Sequence, residues 1–553
     1  MSRLMEQTRS TEKLDTAAWD VIRDASDAHG IRAAAQQQDN YRRIWARDSV
    51  VTGLAILLHD HSALMPAFKA SLQQLAKAAA PNGQIPSNVS LADDGQMAAV
   101  SFGGPVGRTD CSFWWIIGAV NYLQRLPEES FRVQVLDQTE KIFQLAQAWE
   151  FNYQGLMHLP VSSNWADEYI TGGYVLYDQL LRYWSFLLAG ECFNRTDWLA
   201  KADDVKLSIK KHFCGEAELD ASLFTASQRK QLQAAKGEPV FICAFSATQL
   251  IQRYDAWSIA LLLALNIPSE SSRAGLLEAI RKEWDTCRIG LPAFWPVIEE
   301  SDPEYRQLLS NHSYRFKNRP GHFHNGGIWP VVNGFLVAAF QLIGEPAMAD
   351  ALLQSLQSLL ERHADTHPFP EYVARTDHQP GGLSRLCFSA AGWLWAVQSR
   401  SQIMRLQKIM AHPSQQKKAA AAAAQELAQA VIGRVQIEAG KPFAISVAGE
   451  SGCGKTTLAL ALQDAFGKQG MKSIVLHQDD FFYLPPRQNH EQRLKDFSHI
   501  GPQEVNLVQL NETIQLIQQQ TTPLLTIPVM NWITDTREFK EIDVRQTAVI
   551  IVE

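Results

Sequence analysis

Two sets of residues in this 553-residue chain have the types and spacing to do chemistry. The first is Gly449-Glu-Ser-Gly-Cys-Gly-Lys-Thr456. A loop of this pattern folds the backbone N–H groups of Gly449, Ser451, Gly452 and Gly454 around phosphates. It sets Lys455 against the terminal phosphates and offers the Thr456 hydroxyl to Mg²⁺, with Thr457 alongside. ATP and Mg²⁺ are the cofactors this loop predicts. Close behind it, Val475-Leu-His-Gln-Asp-Asp-Phe-Phe-Tyr483 puts Asp479 and Asp480 at the end of a predicted strand, the edge where ligands bind in open parallel sheets. Either carboxylate could take a proton from an acceptor hydroxyl, with Asp479 preferred, or help hold Mg²⁺. Arg493 and His499 could touch the acceptor, or simply be solvated loop residues.

The second set is a series of carboxylates among aromatic residues: Asp48 in Trp45-Ala-Arg-Asp-Ser, Asp110 in Gly107-Arg-Thr-Asp-Cys-Ser-Phe-Trp-Trp115, Asp167 in Asn164-Trp-Ala-Asp-Glu-Tyr169, and Glu371 in Pro368-Phe-Pro-Glu-Tyr372. Cleavage of a glycosidic bond needs two carboxyl groups, one to protonate the leaving oxygen and one to activate water or attack directly. Each also has an ordinary alternative. Asp48 and Asp110 precede helical runs and could be N-caps, Glu371 sits in a proline turn, and Trp114-Trp115 at a helix start suits a core.

The elements that must position these residues differ along the chain. Segments 49–58, 68–79, 113–126, 175–188, 254–265, 332–343 and 349–360 repeat apolar residues at three- and four-residue spacing, which predicts helices. Loops rich in Gly, Pro and Asn separate them, so residues 1–405 predict an all-helical domain with its chemistry on loops. An Ala-rich, Lys/Gln-flanked stretch predicts a helical linker over 406–440. Residues 441–553 then alternate strand and helix, predicting a parallel α/β sheet. In that region, strands are expected at 443–448, 473–477, 522–528 and 547–552, with helices at 455–467 and 505–519.

Composition narrows the function classes. The apolar fraction of 46%, charged fraction of 20% and net charge of −7 fit a folded globular protein and give no basic stripe for nucleic acid. No signal peptide or membrane-spanning run is legible. Seven cysteines, odd in number and scattered, fit free thiols in a reducing compartment, so a cytoplasmic location is expected. Oligomeric state is not encoded in any feature of the sequence.

Taken in order, Trp45-Ala-Arg-Asp-Ser, Gly107-Arg-Thr-Asp-Cys-Ser-Phe-Trp-Trp-Ile-Ile117, Trp165-Ala-Asp167, His324-Asn-Gly-Gly-Ile-Trp-Pro330 and Phe369-Pro-Glu-Tyr372 resemble the neutral/alkaline invertases. More loosely they resemble debranching glucosidases, trehalases and glucosylglycerate hydrolases. This resemblance, over about residues 35–400, implies a barrel of six helical hairpins with the site at one mouth. It implies Asp110 as general acid and Glu371 as the base that activates water, giving inversion. It places Trp45, Arg47, Asp48, Trp114, Trp165, Asp167, His324, Asn325, Trp329 and Tyr372 around a small carbohydrate, with no cofactor. Asp110-Cys-Ser112 departs from the Asp-Ser-Gly of invertases, leaving sucrose as one candidate among small glucosides.

The region around the phosphate loop resembles uridine kinases and phosphoribulokinases. Val549-Ile-Ile-Val-Glu553 is similar to their core strand bearing a magnesium-associated acid, and the sequence given stops there, so an incomplete kinase-like domain with weak or absent turnover is expected. Rival functions are a glycoside phosphorylase or debranching-type glucosidase, a sugar-sensing ATP-binding regulator, and a small-molecule kinase on a helical scaffold.

Overall fold

Helices that are apolar on nearly every side must be surrounded by other elements, and the N-terminal part of the chain contains six of them. The computed structural model describes every residue except Met1, 36–38, 93–94, Tyr153, 217–221, 235–240, 413–422, 431–440, 450–453 and 532–534. It divides the chain into two units, Met1–His412 and Pro413–Glu553.

In chain order, the long helices of the first unit are α1 (Ser2–Asp24), α2 (Ala46–His59), α3 (Met65–Lys77), α4 (Asp110–Arg125), α5 (Glu129–Ala148) and α6 (Leu176–Phe193). They continue with α7 (Thr196–Phe213), α8 (Ala256–Ala264), α9 (Glu270–Thr286), α10 (Pro330–Ile343), α11 (Pro346–Arg362) and α12 (Cys387–Gln398). The even-numbered helices are buried almost throughout. They pack in a closed ring, α2–α4–α6–α8–α10–α12 and back to α2. The odd-numbered helices bury one stripe, as in α5 with Phe131, Val135, Ile142, Phe143 and Ala146, and turn a polar face outward. The result is a six-hairpin α/α barrel.

Small residues set how closely the inner helices meet. A Cβ on Gly334 of α10 would lie 2.0 Å from the Gly392 carbonyl oxygen of α12, and one on Gly392 would lie 2.5 Å from the Val331 Cα. Only glycine fits at that crossing. Pro330 and Pro346 open α10 and α11, where a missing N–H leaves no helical bond unmade.

The expected linker start at residue 406 is corrected. Helix α13 (Ile403–Ile409) buries Leu406 and Ile409, and Met410 follows into the same barrel core, because these apolar side chains cover the base of the ring. Residues 423–430 are helical, with Ala424 and Ala428 packed in the core of the second unit.

With β1 (Tyr372–Val373) and β2 (Pro380–Gly381) naming the last of several short hairpins in the barrel, the second unit contains β3 (Phe443–Ser446), α14 (Lys455–Lys468), β4 (Lys472–Leu476), α15 (Leu507–Gln519), β5 (Leu524–Asn531), β6 (Thr536–Asp543) and β7 (Thr547–Val552). β7 lies between β3 and β4, parallel to both. Val549 and Ile551 face Leu462 and Phe466 of α14, and Ile550 faces Leu510 and Ile517 of α15. Both faces of the parallel sheet are thus covered. The strand expected at 522–528 is displaced to Leu524–Asn531 and pairs antiparallel with β6 in a separate hairpin. Its partner, Thr536–Asp543, alternates charged residues with few apolar ones, which hid it from pattern reading.

Candidate active sites

The inner helices share a recurring feature at their N-terminal ends. Asp48 lies in the first turn of α2, Asp110 opens α4, Asp178 lies in the first turn of α6, and Asp255 caps α8 by accepting from the Trp257 N–H at 3.0 Å. Helix N-termini carry positive partial charge and favour carboxylates. Of the two suspected caps, neither is one: the residues at the cap positions of α2 and α4 are Trp45 and Thr109. Asp48 and Asp110 are therefore buried acids without a capping role.

Asp110 is fully buried and accepts from Arg47 Nη1 at 2.6 Å. Burial opposes the charge on Arg47, but Asp110 and neighbouring acidic groups keep the guanidinium firmly charged. Glu371 enters from the turn before β1, with the Tyr41 hydroxyl donating to its Oε1 at 3.4 Å. Burial pushes the Glu371 carboxyl up to about 7, with Lys317 opposing and the charges of Asp167 and Asp48 adding to the rise. Asp48 is itself raised by burial against the pull of Arg47, and feels both Asp110 and Asp167. Asp110 and Glu371 thus border a common group of charges, with Asp48 in the field of each.

Asp167 pairs with Arg108 at 2.8 Å. Burial works to raise its carboxyl, but Arg108, His324, Arg47 and Lys317 together hold it below the usual range. Trp165 stacks on Phe294 (5.6 Å, 10°) and meets His324 edge-on at 5.2 Å. His324 stacks on Trp329 (4.9 Å, 6°), which in turn stacks on Tyr372. Both ring nitrogens of His324 are buried without a hydrogen-bond partner among the described residues, and burial lowers its pKa to about 3. A neutral imidazole with unmet hydrogen-bonding capacity, walled by aromatics and carboxylates, suits hydroxyl groups.

Two residues expected around the substrate serve the scaffold instead. Asn325 spends its side chain tying its loop to a neighbouring segment: Nδ2 donates to the Ile298 and Asn318 carbonyls, and Oδ1 accepts from the Ile298 N–H. Trp114 is fully buried among Trp184, Trp257 and Phe335, with Nε1 donating to Tyr177. Trp45 is half-buried and donates to the Asn40 carbonyl. Tyr41, Arg108, Lys317, Asp178 and Asp255 were not singled out by the sequence. Arg108 lay inside a quoted motif, and Asp178 and Asp255 repeat the acid-at-helix-start pattern, while Lys317 left no signal. Asp178 accepts from Thr109 and Asn164, both at 2.8 Å, and its carboxyl is pushed up to about 8 by burial and then by the charge of Asp110.

In the second unit, Gly454 has φ +91 and starts α14, a backbone that favours glycine. Ser451 and Gly452 lie outside the described residues; Gly449 and Thr457 are described, flanking the loop and following Thr456 in α14. Thr456 donates to Glu553 Oε1 at 2.7 Å, and His477 Nδ1 meets Glu553 Oε2 at 2.7 Å. A threonine hydroxyl beside a carboxylate at a helix start is an oxygen set that fits Mg²⁺. Asp480 Oδ1 accepts from the Met530 N–H at 2.8 Å, so it is engaged with β5. Asp479 is raised by burial and by Glu553. Arg493 is tied to Glu504 at 2.6 Å, and His499 meets Asn489 at 3.0 Å, which gives both a local structural task.

Among the described residues no helix is long and apolar enough to cross a membrane. Comparison with known proteins adds family context. A GH63 mannosylglycerate hydrolase from Thermus thermophilus, solved with glucose, superposes with a TM-score of 0.50 at 14% identity, covering 69% of this chain and 99% of that one; a likeness of that degree is one of fold. The alkaline/neutral invertase E, chloroplastic, of Arabidopsis thaliana is 30% identical over 153 residues, 25% of this chain and 21% of that protein. The bifunctional alpha-galactosidase/sucrose kinase AgaSK of Mediterraneibacter gnavus is 42% identical over 57 residues, 10% of this chain and 6% of that protein. The matches therefore span about a fifth or less of these curated relatives. Residues 444–553 match the Phosphoribulokinase / Uridine kinase family. The chain thus carries an α/α barrel with the fold of a solved glycoside hydrolase, followed by a segment, residues 444–553, that matches the Phosphoribulokinase / Uridine kinase family.

Proposed function

We propose that the barrel hydrolyses a glycosidic bond in a small glucoside with inversion, Asp110 donating a proton to the leaving oxygen and Glu371 activating water. The observation that carries this reading is the placement of fully buried Asp110 and partly buried Glu371 around one set of charges and aromatic walls. Asp167, Arg108, His324 and Trp329 would hold the sugar hydroxyls and ring. Sucrose is a candidate substrate, supported by the invertase relative.

One observation favours exchanged roles. Arg47 holds Asp110 in an ion pair while Glu371 titrates near neutrality, the pattern expected if Glu371 were the acid. Two measurements separate the assignments. If Glu371 is the base, the rate rises with pH through about 7 as the carboxylate forms; if it is the acid, the rate falls through that value. An aryl glucoside with a good leaving group needs little proton donation, so the variant lacking the acid should retain its hydrolysis. NMR of the first-formed anomer on a panel of glucosides and disaccharides tests substrate class and inversion together. Phosphate-stimulated cleavage would instead point to phosphorolysis.

For the second unit we propose binding of ATP with Mg²⁺ and transfer of its terminal phosphoryl group to a small hydroxyl acceptor. Lys455 would meet the terminal phosphates, Thr456 and Glu553 would hold the ion, and Asp479 would take the acceptor's proton. When bound, the ion would neutralise charge on the phosphates. The sucrose kinase relative supports a sugar hydroxyl as acceptor. Release of ADP upon addition of individual sugars tests it.

A further inference from the structure

On the outer flank of the barrel, α9, α11 and the β1–β2 hairpin border a cavity of about 400 Å³, within the roughly 300–1,000 Å³ typical of small-ligand sites. Its wall mixes apolar and hydrogen-bonding groups. Trp284 and Leu359 supply the apolar part. Ser355 and Ser358 donate to the carbonyls of Arg288 and Gln354 at 2.7 and 2.9 Å, which leaves their oxygens able to accept.

His363 adds a second and independent sign of a ligand. It is 7% exposed, it lines the cavity, and its Nε2 has no hydrogen-bond partner among the described residues. Its ring also hydrogen-bonds the His378 backbone, and burial favours its neutral form. An imidazole donating from one nitrogen keeps a lone pair on the other. A buried acceptor with nothing to accept is costly, and a ligand hydroxyl would satisfy it.

We propose that this cavity is a second, non-catalytic carbohydrate site that takes one unit of a neutral sugar. A sugar presents a C–H face for the apolar wall and hydroxyls that both donate and accept, as the serines, Arg362 and His363 require. An anion is disfavoured, because α9 and α11 both bring their C-terminal, partially negative ends here and Asp285 already pairs with Arg288. The site touches the catalytic apparatus through one element. Val373 lines the cavity and lies two residues beyond Glu371, in a hairpin that Arg375 ties to Glu283 at 2.8 Å. Occupancy would brace the turn that carries Glu371.

The test is calorimetric titration of glucose, sucrose and maltose into the full chain carrying Glu371→Gln to prevent turnover, with Ser358→Trp or His363→Phe added. Ser358 is exposed, so its tryptophan fills the cavity without entering the core. Two binding events are expected, with the weaker one losing tenfold or more in affinity in both added variants while the melting temperature of the Ser358→Trp protein holds. A single event lost with Ser358→Trp would keep this site and remove the proposed active-site binding. A single event insensitive to both substitutions, or two events unchanged by them, would overturn the proposal.

Discussion

The two sites of this chain store their chemistry differently. In the barrel, Asp110, His324 and Asp178 are fully buried and pairwise committed to neighbours or aromatic walls, and several carboxyls are displaced far from their ordinary titration range. At the phosphate loop, Thr456 is exposed and the polar groups lie at an open sheet edge. The barrel therefore holds its charges in place at a cost in folding stability, whereas Thr456, His477 and Glu553 hold theirs through contacts at a more open edge. Substitutions in the first should change pH dependence and stability together with rate. Substitutions in the second should change ligand affinity alone.

The largest expected effect is that of Asp110→Asn, which should lower turnover of an unactivated disaccharide by about 10²–10⁴-fold. It should also lower stability, since it leaves Arg47 buried without its partner; a steady-state assay with a thermal melt reads both. Near-normal turnover would sink the assignment. Lys455→Ala is expected to weaken ATP binding by roughly 10–100-fold, measured by fluorescent-nucleotide titration, with glucoside hydrolysis unchanged. A large fall in hydrolysis would mean the two units communicate, and the contrast between them would fail.

Glu371→Gln sharpens the comparison through pH. A carboxyl whose folded pKa is raised to about 7 binds its proton more tightly in the native than in the unfolded state. Native stability from this group is therefore full below the unfolded pKa and declines as pH rises towards about 7. The variant should be inactive, yet more stable than the parent at pH 8 by about 3 kcal/mol, with the gain absent at pH 4. Denaturant melts at the two pH values check it. The smallest effects separate scaffold from contact. Asn325→Ala should cost about 1–3 kcal/mol of stability, because three side-chain hydrogen bonds close its loop. His324→Ala should also lower the melting temperature, because its ring is fully buried and stacked on Trp329, but it should in addition raise KM by several-fold, which Asn325→Ala should not.

How much of this was legible in the sequence follows from the range over which each signal acts. The seven apolar-periodic segments lie in α2, α3, α4, α6, α8, α10 and α11, since helix periodicity is local. The phosphate loop was legible because its glycines and Lys455 are contiguous. Lys317 and Tyr41 were not, because each reaches Glu371 from a stretch with no periodic or motif signature. Asn325 and Trp114 were assigned to the substrate because their motifs were read whole. Which side chain of a motif faces inward depends on packing partners far away in sequence, such as Ile298 for Asn325 and Trp257 for Trp114.

The closure of the inner ring between α12 and α2 sets a schedule for biogenesis. The flank of α2 that α12 will cover is made early and stays greasy until residues near 398 have left the ribosome. At about 5–20 residues per second that wait lasts tens of seconds. Chaperone capacity during translation, more than the speed of refolding, should govern the yield of this protein in cells.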